Sequence, residues 1–167
     1  MNILLTFETN LTGELVDIID GKLADIIDQS TSVDDPDAFG YFDSAEHLTG
    51  LGFVACQAYM TAVYGVLGVK KKQAMSFGPL HQCGNSIAQI VNDAANYWKH
   101  NNEWALDKSQ KRRELIETTF EKVGFPVGTE YPLSGILTEL ASPDFASFKP
   151  IYGKLNEWKG MLQSGAA

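Results

Sequence analysis

Apolar residues recur at three- and four-residue steps along nearly the whole chain, the period of helices with one buried side. Leu11, Leu15, Ile18, Ile19, Leu23, Ile26 and Ile27 trace a first helix, with Asn10 or Thr12 as its cap. Met1 to Phe7 fits either an extended segment or an early helical turn. Residues 30–43 predict a loop, where Ser, Asp and Pro36 cluster ahead of Gly40. Ser44 then predicts the cap of a second helix, with Glu46 and His47 in its first turn, running to about Leu67. Gly50, Gly52, Ala55, Ala58, Ala62 and Gly65 lie inside it. Small residues let a neighbour come close, so this helix is expected to be central and the most buried. Gly68 to Lys72 ends it.

A third helix is expected to start between Gly78-Pro79 and Ser86 and to continue through Trp104, with a fourth over Lys108 to Val123, stopped by Gly124. Tyr131 to Leu162 predicts two shorter helices broken near Ser142-Pro143, with Pro150 either kinking the last or marking its first turn. The expected architecture is an all-α, single-domain bundle of about five or six helices over residues 1–163, with residues 164–167 as a disordered tail.

The third helix has the sharpest pattern. At about 100° per residue, Gln89, Asn92, Asn96, His100 and Glu103 fall on one stripe, with Asp93 at its edge. Ile87, Ile90, Val91, Ala94, Tyr97 and Trp98 lie opposite and should face the core. The polar stripe is then either a solvated outer face or the wall of a cleft between subunits. Asn is a poor helix former. Its crowding at Asn92, Asn96, Asn101 and Asn102 implies helix termination near residue 101 or hydrogen bonding in a site or partner.

Charge changes this picture. The net charge is -8, but residues 1–46 hold eleven acids and one base, Lys22, for a net of -10; residues 47–167 hold ten acids and twelve bases, for a net of +2. Such acidity argues against broad, nonspecific nucleic-acid binding. Two basic clusters, Lys70-Lys71-Lys72 and Lys108, Lys111, Arg112 and Arg113, leave room for a local RNA or phosphate contact; otherwise they are solvated helix ends. No apolar run approaches the ~18 residues of a membrane span, and the N-terminus lacks a basic leader. A reduced, cytoplasmic protein without a membrane is expected, with no cofactor. Cys56 and Cys83 form neither a zinc nor a disulfide pattern.

His100 is the candidate general acid or base. Asn96 at i-4 and Glu103 at i+3 share its face. Glu103 would orient the imidazole, and Lys99 would stabilise charge on a phosphate. A metal alternative uses Asp93, His100 and Glu103, helped by His47 and Glu46 or by His81. Cys56 lies in the core-like run Phe53-Val54-Ala55-Cys56-Gln57-Ala58, Cys83 near His81 is no dyad by itself, and no glycine-rich phosphate loop occurs.

Ala95-Asn96-Tyr97-Trp98-Lys99-His100 resembles, at Asn96 and His100, the late-helix motif of the HEPN class of all-α bacterial domains. That motif has an Arg, usually a polar residue such as Asn, three variable positions and a His. The resemblance implies a compact helical bundle and, in active members, a metal-independent endoribonuclease whose Arg and His meet at a dimer interface, often in toxin–antitoxin or phage-defence systems. Here the Arg position holds Ala95. The expectation is therefore a HEPN-like protein of a defence or stress system, noncatalytic or a degenerate ribonuclease. It would be a homodimer, with RNA or a protein as partner, and His100, Asn96, Lys99 and Glu103 would be its site residues. The other readings are a noncatalytic interaction module using the acidic N-terminal region, and a bundle with a His/carboxylate metal site.

Overall fold

The computed structural model describes residues 3–104 and 110–165. The described residues form an all-α bundle: α1 (Ile3–Ser30), α2 (Tyr41–Leu67), α3 (Lys71–Ser76), α4 (Ile87–His100), α5 (Gln110–Val123), α6 (Pro132–Ala141) and α7 (Lys149–Gln163). A single 3-10 turn, Asn101–Glu103, follows α4. Among the described residues there is no strand.

α1 starts earlier than the capping residues predicted. Neither Asn10 nor Thr12 is a cap; Thr12 is buried within the helix, and its hydroxyl donates to the Glu8 carbonyl at 2.7 Å. The core face of α1 is Leu5, Thr12, Val16, Leu23 and Ile26. Leu11, Leu15 and Ile18 were expected to be core by their spacing, but they are 40%, 38% and 67% exposed. The helix therefore carries two apolar stripes, and burial selects one of them.

α2 packs against α1, α3, α4, α6 and α7, which makes it central as expected. It is α4, however, that is buried over most of its length. Gly40 (φ 71°) caps α2, and Ser44 instead donates back to the Gly40 carbonyl at 2.8 Å. Gly68 (φ 68°) closes the helix, with the Val69 N–H donating to the Tyr64 carbonyl at 3.0 Å, a left-handed terminus suited to glycine. Two interior glycines admit rings rather than backbone. A Cβ on Gly50 would lie 2.3 Å from the Trp98 ring, and one on Gly52 2.3 Å from Phe148.

Among the described residues α2 alone is long and apolar enough to cross a membrane, with a mean hydropathy of 1.4 over its most apolar window. This corrects the expectation that no segment reaches such a length. Ala, Val, Leu, Phe, Cys and Met keep the mean high although Gly, Thr, Gln and Tyr interrupt any continuous apolar run.

The two C-terminal helices take their N-terminal caps from the acidic first third of the chain. In α6, Pro132 has no N–H. The Leu133 and Ser134 N–H groups donate to the Glu46 carboxylate, both at 2.8 Å, and Gly135 donates to the Tyr131 carbonyl at 3.1 Å. Glu46 thus takes up the Leu133 and Ser134 donors that the helix start leaves open, and Pro132 brings none. In α7, Asp20 accepts from the Phe148 N–H at 2.7 Å, the Lys149 N–H at 3.3 Å and the Ser147 hydroxyl at 2.6 Å. Pro150 lies in the first turn of α7 and does not kink it. Ser164 and Gly165, expected to begin a disordered tail, close α7 through bonds to Met161, Gly160 and Leu162. Residues 166–167 lie outside the described residues.

Candidate functional site: a polar cleft between α3, α4 and α5

Ser86 sets the start of α4. Its Oγ accepts from the Gln89 N–H at 3.0 Å and donates to the Met75 carbonyl, which ties α4 to α3. From that start the helical period carries Gln89, Asn92, Asp93 and Asn96 toward α5 and α2. The sequence placed this stripe on a solvated face or between subunits. It lies instead inside one chain, where Asn92, Asp93 and Asn96 are 6%, 5% and 5% exposed.

Burial of these groups is sustained by hydrogen bonds, as buried polar groups require. Gln57, on α2, donates from Nε2 to Asn92 Oδ1 and Asn96 Oδ1, both at 3.1 Å. Its Oε1 accepts from Lys99 Nζ at 2.5 Å. Asn96 Oδ1 also accepts from the Arg112 guanidinium of α5 at 3.4 Å. Asp93 accepts from Gln89 Nε2 at 2.8 Å on both oxygens, from Asn92 Nδ2 at 3.1 Å and from the Thr119 hydroxyl at 2.7 Å. Every named donor to Asp93 is neutral. Burial pushes its carboxyl above the usual range, against the lowering effect of those bonds and of the Lys71 charge.

A cleft of about 450 Å³ opens over this network. Its walls carry the cations Lys71, Arg112 and Lys122 against the single carboxylate of Asp93. Lys99 is held below the usual lysine range, first by burial and then by the fields of Lys71 and Arg112. Cations from α3, α4 and α5 therefore converge, and an anion is the species they would stabilise.

The predicted site residues separate. Asn96 is internal and positions Arg112. Lys99 reaches Gln57. His100 stands at the C-terminal end of α4, where its Nδ1 meets Glu103 Oε2 at 3.2 Å; their side chains are 36% and 69% exposed. The Asn-rich stretch divides likewise, since Asn92 and Asn96 belong to the buried network while Asn101 and Asn102 form the 3-10 turn that ends α4. The helix was expected to run through Trp104, but it stops at His100.

The metal set is not assembled. Asp93 is enclosed by Gln89, Asn92 and Thr119, Glu46 caps α6, and His47 stacks edge-on against Trp98 with centroids 4.8 Å apart. His81 Nε2 meets Glu139 Oε1 at 3.1 Å, while its Nδ1 accepts from the Cys83 N–H at 3.3 Å. Among the described residues no three His, Cys, Asp or Glu side chains converge as metal ligands. Cys56 is fully buried, as its sequence context implied, and burial pushes its thiol up to about 12. In the second basic cluster, Arg112 lines the cleft; Arg113 instead pairs with Glu117 at 2.8 Å and covers the Trp104 ring at 5.4 Å, and Lys108 lies outside the described residues.

Gln57, Thr119 and Lys122 escaped the sequence reading. The signal for Gln57 was present: it is a lone amide in an otherwise apolar run of α2. Thr119 and Lys122 carry no such mark.

Compared with protein-family models, curated proteins and solved structures, the chain has no match.

Proposed function

We propose that this is a HEPN-like helical protein of a bacterial defence or stress system that holds single-stranded RNA in the cleft between α3, α4 and α5. The observation that carries the reading is the convergence of Lys71, Lys99, Arg112 and Lys122 in a chain whose net charge is -8. Such a groove follows a phosphate backbone and gives salt-dependent binding. Arg112, held by Asn96, supplies a guanidinium beside the motif whose own Arg position is Ala95. If RNA is cut, His100 exchanges the proton at the 2′-hydroxyl or the leaving oxygen, oriented by Glu103, and Arg112 or Lys99 holds the phosphate. A homodimer in the cytoplasm is the assembly in keeping with this reading, and the exposed apolar row Phe7, Leu11, Leu15 and Ile18 supports it.

The test is fluorescence anisotropy with a labelled single-stranded RNA of mixed sequence, at low and moderate salt. Binding should weaken in Arg112→Ala and Lys71→Ala, each lowering the salt slope by roughly 0.7. A gel of the same RNA, with His100→Ala as control, separates holding from cutting. Binding absent at low salt, or unchanged in both variants, refutes the reading.

A further inference from the structure

A second cavity, of about 240 Å³, shares no lining residue with the polar cleft. Leu23, Ile26 and Leu137 form its apolar floor, with Phe42, Tyr131 and Phe145 among its walls. Four of its lining hydroxyls, those of Ser30, Tyr131, Ser134 and Thr138, are already engaged. Ser30 donates to the Ile27 carbonyl, Thr138 to the Ser134 carbonyl and Ser134 to Glu46. The surface left for a ligand is therefore mainly hydrocarbon and ring. Phe42 and Phe145 are 41% and 67% exposed at this site, an arrangement that favours association.

Two further observations single out this cavity. The only described non-glycine residues with positive φ are Tyr131 (53°) and Ala146 (48°), and both line it. Backbone held in that region costs about 1–3 kcal/mol and clusters at ligand sites. The second observation is charge. All the lining residues fall within residues 23–69 and 123–148, and neither segment contains a Lys or Arg. Tyr131 donates to Asp37 Oδ1 at 2.5 Å. Its hydroxyl is pushed up to about 12, first by that bond, with burial and the charges of Asp37, Asp43 and Glu130 adding. At Tyr131 this apolar cavity thus faces the carboxylates of Asp37, Asp43 and Glu130, and the segments that line it supply no Lys or Arg.

We infer that this cavity docks a partner peptide that inserts one aromatic side chain and sets flanking Lys or Arg residues against Asp37, Asp43 and Glu130. The volume suits that anchor. An apolar cavity of about 150 Å³ accepts benzene, while drug-sized ligands fill about 300–1,000 Å³. The charge selects the flanks. A second copy of this chain would bring the same acidic rim to the contact, so a basic partner is the complementary one.

The probe is the peptide acetyl-Lys-Lys-Phe-Lys-Lys-amide, titrated into the full chain with labelled methyl groups. Saturable shifts are expected at Leu23, Ile26 and Leu137, with Val91 in the core as the unmoved reference. Replacing the peptide's Phe by Ala should weaken binding about tenfold, as loss of a buried aromatic anchor does. Raising salt from about 50 to about 500 mM should weaken it severalfold by screening. The exposed-rim pair Asp43→Asn with Glu130→Gln should do the same without unfolding the chain, and Ala45→Leu, which narrows the cavity, should abolish the shifts. Absence of saturable shifts, equal binding of the Ala peptide, or shifts confined to α5 overturns the inference. So does a concentration-dependent shift of the same methyls without peptide, which would give the cavity to a second copy.

Discussion

Glu46→Ala is the perturbation that tests the helix-capping arrangement most directly. The carboxylate holds the Leu133 and Ser134 N–H groups at 2.8 Å and the Ser134 hydroxyl at 2.6 Å. Leu133 is fully buried, so water does not readily replace the lost acceptor at its N–H. Hydrogen bonds to a charged group are worth about 1.5–3 kcal/mol each, and removal of an N-cap costs about 0.5–2 kcal/mol. Glu46 is only half-buried, and the three bonds share one side chain, so their values do not add. We expect a loss of about 2–3 kcal/mol. In a chain of this size that lowers Tm by roughly 5–10 °C.

Urea unfolding followed by tryptophan fluorescence measures this loss as a shift of the midpoint at constant slope. Glu46→Gln is the companion variant. It keeps one acceptor oxygen but loses the charge that favours a helix N-terminus, so it should fall between wild type and Glu46→Ala. A loss below about 0.5 kcal/mol in Glu46→Ala, the range of an ordinary surface change, would refute the reasoning.

Gly50→Ala should destabilise by about 1–3 kcal/mol, because its Cβ meets the Trp98 ring, whereas Gly21→Ala, with no neighbour within 4 Å, should gain about 0.5–1 kcal/mol; thermal melts of the pair decide it. Asp93 has a folded pKa raised above its unfolded value of 3.8, so the folded state binds its proton more tightly. Its ionisation therefore lowers stability as pH rises from the unfolded pKa through the folded one, and the loss persists above it; Asp93→Asn should flatten that part of the stability–pH profile. With Ellman's reagent at mildly alkaline pH, native protein should expose Cys83 alone, and Cys56 should react only on unfolding; prompt reaction of both thiols would contradict the burial of Cys56.

The legible parts of this chain were those set by spacing within one helix. The period of α4 separated Ile87, Ile90 and Val91 from Gln89, Asn92 and Asn96 correctly, yet it could not say what the second set faces. Its partners Gln57, Arg112 and Thr119 lie between 16 and 39 residues away along the chain. On α1 the same rule failed, because hydrophobic spacing marks an apolar stripe without saying whether another helix covers it. Leu11 and Leu15 fit the pattern and are exposed, while Thr12 is buried. α3, six residues long, is too short to show a period. Asp20 contributed only charge to the sequence reading, and Glu46 entered it as a first-turn residue of α2 and a metal alternative, not as a cap. Their capping role depends on contacts about 90 to 130 residues distant.

Those distant caps make the order of synthesis matter. The α1–α2 hairpin leaves the ribosome before α6 and α7, carrying two carboxylates whose partners have not yet been made. The first turns of α6 and α7 are completed by Glu46 and Asp20, so these later segments depend on a surface prepared by earlier ones. A truncation after α5 would leave both carboxylates and the faces beneath them uncovered, a species suited to capture by chaperones. Final folding of this bundle is thereby tied to the arrival of α6 and α7.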